Sequence, residues 1–122
     1  MKVMPTTAPE VLSAGTLIGD RVINPQGENL GKVEEIMLNL EEGCVSYVVL
    51  SFGGIMGLGD KLFAVPWDVL KLDTEEKAFI LSVDKEKLRK APGFDKNNWP
   101  DHADTQWLNT IYSYYGSKPR KK

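Results

Sequence analysis

Between Asp20 and Val83 the chain alternates short apolar runs with turn residues, the spacing of an all-β unit without intervening helices. Arg21-Val22-Ile23-Asn24 is the first run, and Pro25-Gln26-Gly27-Glu28 after it suits a tight turn. Asn29 to Leu40 reads as one long strand, with Ile36, Leu38 and Leu40 on one face and Glu35, Met37 and Asn39 on the other. Val33 is out of phase with that apolar set, which predicts a bulge near Glu34-Glu35. Glu41-Glu42-Gly43 makes the next turn, and Val45 to Phe52 is the most strongly β-forming run in the chain. A glycine-rich segment leads into a strand from Lys61 to Val65 that ends at Pro66, because proline has no N–H for a ladder. Val69 to Leu72 and Ala78 to Val83 form a hairpin around Asp73-Thr74-Glu75-Glu76-Lys77. About six short strands predict a mainly β fold, a small closed barrel.

The pattern changes on either side of this unit. Residues 1–12 contain Pro5 and Pro9 and show no periodicity, so they read as a flexible arm before a barrel domain over 13–83. Residues 84–122 read as a helical C-terminal extension with a frayed basic end. Asp84 to Lys90 predicts a short helix capped by Asp84 and broken by Pro92-Gly93. A second helix starts near Asp101 or Asp104. Trp107, Leu108, Ile111 and Tyr115 recur there at helical spacing, and Gly116 then Pro119 supply stop signals. So short a helix is marginal alone, and its tryptophan-bearing face must pack on either its own barrel or a second subunit.

Charge adds an asymmetry. Residues 1–83 carry six Lys+Arg against twelve Asp+Glu, and residues 84–122 carry nine against five, for a net charge of −2. An acidic front and a basic tail attract each other, within a chain or between two. The acidic total argues against a phosphate-backbone binder. Cys44 is the single cysteine, so no internal disulfide forms, and a buried, inert thiol in a reducing compartment is expected. No stretch approaches the ~20 apolar residues of a bilayer span, and the first residues lack the apolar core of a signal peptide. A cytoplasmic protein is expected.

Candidate chemistry is sparse. Gly54-Ile55-Met56-Gly57-Leu58-Gly59-Asp60-Lys61 resembles a phosphate loop only superficially: Asp60 separates the last glycine from Lys61, Leu62 stands where Ser or Thr belongs, and a strand follows instead of a helix. His102 has no cysteine near it, and capping explains Asp101 and Asp104, so neither a metal site nor a cofactor site is expected. The adjacent pairs Glu34-Glu35, Glu41-Glu42 and Glu75-Glu76 point to opposite faces on a strand and seldom converge on one atom. Ile55, Met56 and Leu58 can serve as an apolar knob for a partner or as core, and Trp99, Trp107, Ile111 and Tyr115 as an aromatic contact face or as core.

Several central segments are similar to one known family. Gly31-Lys32-Val33-Glu34-Glu35-Ile36, Val45-Ser46-Tyr47-Val48-Val49, the glycine-rich loop and above all Phe63-Ala64-Val65-Pro66-Trp67 resemble the PRC-barrel family, over roughly Leu12 to Val83. The tail, from Ala91-Pro92-Gly93-Phe94-Asp95 through Asn98-Trp99-Pro100-Asp101 to Tyr114-Tyr115-Gly116, looks like the extension of a bacterial stand-alone branch. The family includes the cytoplasmic domain of the photosynthetic reaction centre H subunit and the C-terminal domain of the ribosome-maturation factor. The former has a membrane-spanning helix and the latter an additional N-terminal domain. Neither stands in this sequence, so neither role is carried over. The resemblance implies a barrel used as a docking platform for proteins, with no catalytic residues to transfer.

The expected function is therefore a non-catalytic protein-interaction module that self-associates, as a homodimer. The alternative is an RNA- or ribosome-associated protein that binds through its basic C-terminal tail.

Overall fold

The computed structural model describes residues 11–52, 61–95, 99 and 105–117. A one-turn helix α1 (Ala14–Leu17) leads into strands β1 (Arg21–Ile23), β2 (Asn29–Asn39), β3 (Cys44–Phe52) and β4 (Lys61–Pro66). A 3-10 turn (Trp67–Val69) then precedes β5 (Leu70–Asp73) and β6 (Ala78–Leu81), followed by α2 (Lys85–Arg89), β7 (Gly93–Asp95) and α3 (Thr105–Tyr114). The fold is mostly β, a single sheet of seven strands in the order β5-β6-β1-β2-β3-β4-β7. Neighbours pair antiparallel except β1 with β6, which run parallel.

Among the described residues hydrogen bonds do not close the sheet, whose two edges are β5 and β7. It nevertheless curls in the manner of a barrel. β4 and β6 are separated by three strands, which would hold them about 19 Å apart in a flat sheet. Yet Phe63 and Val65 of β4 join Phe79 and Leu81 of β6 in one buried cluster, and the Trp67 and Phe79 rings meet edge to face at 6.0 Å. Hydrocarbon sets this curvature: both ends of the sheet bury their inner faces on the same core.

Local chemistry makes the turns as expected. Asn24, 1% exposed, accepts at Oδ1 from the N–H groups of Gln26 and Glu28, and its Nδ2 donates to Glu28 Oε1 and to the Val83 carbonyl. One amide thus shapes the β1–β2 turn and ties it to the end of β6. At the β2–β3 turn, Gly43 takes φ +70 and donates to the Asn39 carbonyl at 2.8 Å. Asp84 caps α2 by accepting from the Lys87 N–H at 2.7 Å. Gly116, at φ +71, ends α3 with paired bonds, Gly116 N–H to Ser113 O and Ser117 N–H to Tyr112 O.

The expected bulge is present, as a register shift between Val33 and Glu35. A second shift between Met37 and Leu38 has no such signal in the sequence. Its extra residue is Ser46 of β3, so β2 keeps its phase, and the expected core set is corrected for another reason. Ile36 packs on the inner core, but Leu38 and Leu40 are 59% and 86% exposed. Beyond Met37 the hairpin has outrun its neighbours: β1 pairs only with residues 29–32 of β2, and β4 pairs with β3 no further than Tyr47. The remaining differences are short elements. α1 is one turn long, and β7 begins at the glycine of the Pro92-Gly93 pair that reads simply as a helix breaker. Cys44 is half-buried at the start of β3, not enclosed, with its thiol 3.7 Å from Glu42 Oε1.

Candidate interaction surface

β3 and β4 are apolar at nearly every position because both of their faces are covered. Val48, Leu50, Phe63 and Val65 point into the curled core, together with Val22, Leu30, Phe79, Leu81 and Leu88. Tyr47, Val49, Leu62 and Ala64 point outward, and each is at most 2% exposed. Phe94 of β7 and Ile111 of α3 lie on them, joined by Met37, Trp99, Trp107 and Leu108. The C-terminal segment therefore packs on its own barrel.

Four of the seven candidate contact residues fall in this outer layer. Ile111 is 1% exposed. Trp107 meets Tyr47 edge to face at 5.6 Å and Phe94 at 6.1 Å, and Trp99 meets Phe94 at 5.0 Å. Tyr115 is half-buried between the inner and outer clusters, against Tyr114. Hydroxyls fasten the same helix: Tyr112 donates to the Ser46 carbonyl at 3.1 Å and Tyr114 to the Lys87 carbonyl at 2.6 Å. Ile55, Met56 and Leu58, with His102 and the basic end 118–122, lie outside the described residues.

Two of these tyrosines are electrostatically marked. The hydroxyls of Tyr47 and Tyr115 are held well above the ordinary value of 10, by burial first and by the neighbouring Tyr112 and Tyr114 second. The Tyr115 hydroxyl is buried and has no hydrogen-bond partner among the described residues. An acid whose folded pKa is raised keeps its full contribution below the unfolded value and loses it above. Stability is therefore expected to fall as pH rises past about 10, by up to about 1.4 kcal/mol per pH unit for each tyrosine. Urea midpoints measured from about pH 9 to about pH 11.5 check this, and Tyr47→Phe should flatten the slope.

With the tail occupied, the apolar side chains left facing water are elsewhere. Val11, Leu12 and Ile18 lie at the N-terminal end, and Leu38 and Leu40 lie on the β2–β3 hairpin. Strict alternation along β2 places these two leucines inside, so residue order alone does not offer them as contact residues. Their exposure comes from the reach of the hairpin past β1 and β4, which residue order does not show. From Val33 to Phe52 the hairpin also carries four glutamates and no Lys or Arg. A hairpin of this kind offers hydrocarbon, backbone and negative charge, which suits binding. Among the described residues no helix is long and apolar enough to cross a membrane.

No curated protein matches the sequence. A family model, the PRC-barrel domain, matches residues 9–88, which span α1, the six strands β1 to β6 and the capped start of α2. The Gly31-to-Ile36 stretch, the β3 run and Phe63-to-Trp67 all fall inside that match, and the chain belongs to the PRC-barrel domain family.

Proposed function

We propose that the chain is a non-catalytic protein-interaction module that works through its exterior and takes a second copy of itself among its partners. The observation that carries this reading is the contrast between inside and outside. The curled core is occupied by Val22, Leu30, Leu50, Phe79 and Leu81, each at most 1% exposed, while Leu38 and Leu40 are left in water. Buried side chains of this kind offer a substrate no polar groups to converge on. Apolar residues kept outside at the end of a projecting hairpin are what a partner covers.

Self-association draws support from the opposed charge of the two segments, which favours contact between the acidic front of one copy and the basic end of another. The module acts in a reducing, cytoplasmic setting, consistent with its single half-buried thiol. Static light scattering of the full chain across the micromolar range tests self-association. The expected result is a weight-average mass that climbs with concentration and falls back as salt is added. A constant monomer mass under all these conditions overturns self-association.

A further inference from the structure

Resting on that reading, we propose that the open edge of β2 from Glu34 to Asn39, with Leu38 and Leu40 beside it, docks an extended cationic strand of another protein. The edge is open for a topological reason. β3 pairs with β2 along one side as far as Asn39. On the other side β1 reaches only Lys32, and among the described residues Val33 is the last one bonded there, to Gly19 and Asp20. From Glu34 onward, no described strand takes the backbone groups on that side. An incoming strand can complete them, gaining main-chain hydrogen bonds in register with a sheet that is already built.

Side chains decide which strand is accepted. Leu38, near the end of β2, and Leu40, in the turn after it, both face water, so an apolar residue on the incoming strand can cover them. The surrounding charge is of one sign: Glu34, Glu35, Glu41 and Glu42, with no Lys or Arg between Val33 and Phe52. A second hairpin of the same kind is a poor occupant. Antiparallel pairing centred on the exposed Leu38 brings Glu34 and Glu35, on the strand of one copy, towards the Glu41-Glu42 turn of the other, and like charges brought together repel. The carboxylates thus keep identical edges apart, as edge strands require. The same carboxylates favour a strand that alternates apolar residues with Lys or Arg.

The test is an NMR titration of the full chain with two synthetic peptides, one alternating isoleucine with lysine and the other isoleucine with glutamate. The lysine peptide is expected to shift the amides of residues 34–39 and to slow solvent exchange of those among them that point away from β3. Its affinity should drop at least about tenfold when salt is raised from low to several-fold physiological concentration. The glutamate peptide is expected to leave them unmoved. Leu38→Lys with Leu40→Lys should weaken lysine-peptide binding at least about tenfold. Because both leucines are exposed, the fold is kept, checked by an unchanged spectrum elsewhere. Glu34→Lys with Glu35→Lys should reverse the preference between the peptides.

Equal binding of both peptides, shifts confined to other residues, or no shift at millimolar peptide would overturn the proposal. So would slow exchange, in the free monomer, of those amides of residues 34–39 that point away from β3, which means the edge is already covered. Concentration-dependent shifts there without peptide assign the edge to a second copy, and also overturn it. A mass that climbs in light scattering while the peptide fails leaves the interaction module standing and removes only this site. A strict monomer that binds the peptide removes only self-association.

Discussion

A chain ending at Val83 is expected to lose cooperative unfolding and to expose its barrel as a sticky, loosely packed surface. Truncation there removes Leu88 and Ala91 from the inner core, which also holds Phe79 and Leu81. It strips β7 from β4 and lifts Phe94 and Ile111 off Tyr47, Val49, Leu62 and Ala64. Four side chains now at most 2% exposed would face water together on neighbouring strands, beside a newly opened β4 edge. Large-to-small loss at Ile111 alone should cost about 3 kcal/mol. Removing the whole layer takes away a large share of the roughly 5 to 15 kcal/mol that a folded domain possesses. Urea unfolding, dye binding to exposed hydrocarbon and light scattering of the truncated chain check the result. A truncated chain that unfolds in one sharp transition, near the full-length midpoint, would show that the extension is an accessory. The family match ends at residue 88, so β7 and α3 lie beyond it, yet they cover the barrel's outer face.

Gly31→Ala is expected to be nearly as damaging despite adding a single methyl group. Gly31 sits within β2 opposite Val22 at φ +110, a backbone conformation that L side chains rarely adopt. A Cβ there would also run into the Ser51 carbonyl of β3 and crowd the Phe52 side chain. Neither obstacle is a flexible group that swings away: β3 is held on both sides, by β2 and β4. The expected loss is at least about 3 kcal/mol, read as a lower urea midpoint. Gly27→Ala is the control. Gly27 has φ +86 but nothing within 4 Å of where the methyl would stand, so only backbone strain of about 1 kcal/mol is expected. Equal midpoints for the two variants would show that the Ser51 contact adds nothing.

Both expectations depend on which features could be read from residue order. The turn at Pro25 to Glu28, the cap at Asp84 and the stop at Gly116 are made by side chains or backbone within a few residues of one another. They were legible because nothing distant competes with them. The bulge at Glu34-Glu35 was legible as well, since Val33 and Ile36 cannot both face the core without an extra residue between them. β7 was not legible: its three residues pair with β4, and pairing over that distance leaves no periodic trace in so short a run.

The candidate contact residues divide along the same line. The helical spacing of Trp107, Ile111 and Tyr115 showed an apolar face but not what would cover it. The unbroken apolar runs of β3 and β4 held the missing half, because a strand buried on both faces needs a layer on each. Only tertiary structure matches the two halves and consumes that face within one chain.

Sequence by itself determined the mostly β class, the positions of the turns and caps, and membership of a recognisable barrel family, since these follow from short-range chemistry and the period of two along a strand. Tertiary structure decided that the sheet curls onto one shared core, that the tail is spent on its own barrel, and that Leu38 and Leu40 stand in water. The reason is physical. Whether a face is buried depends on strands that arrive from elsewhere in the chain, and β1 and β4 stop short of the end of the β2–β3 hairpin.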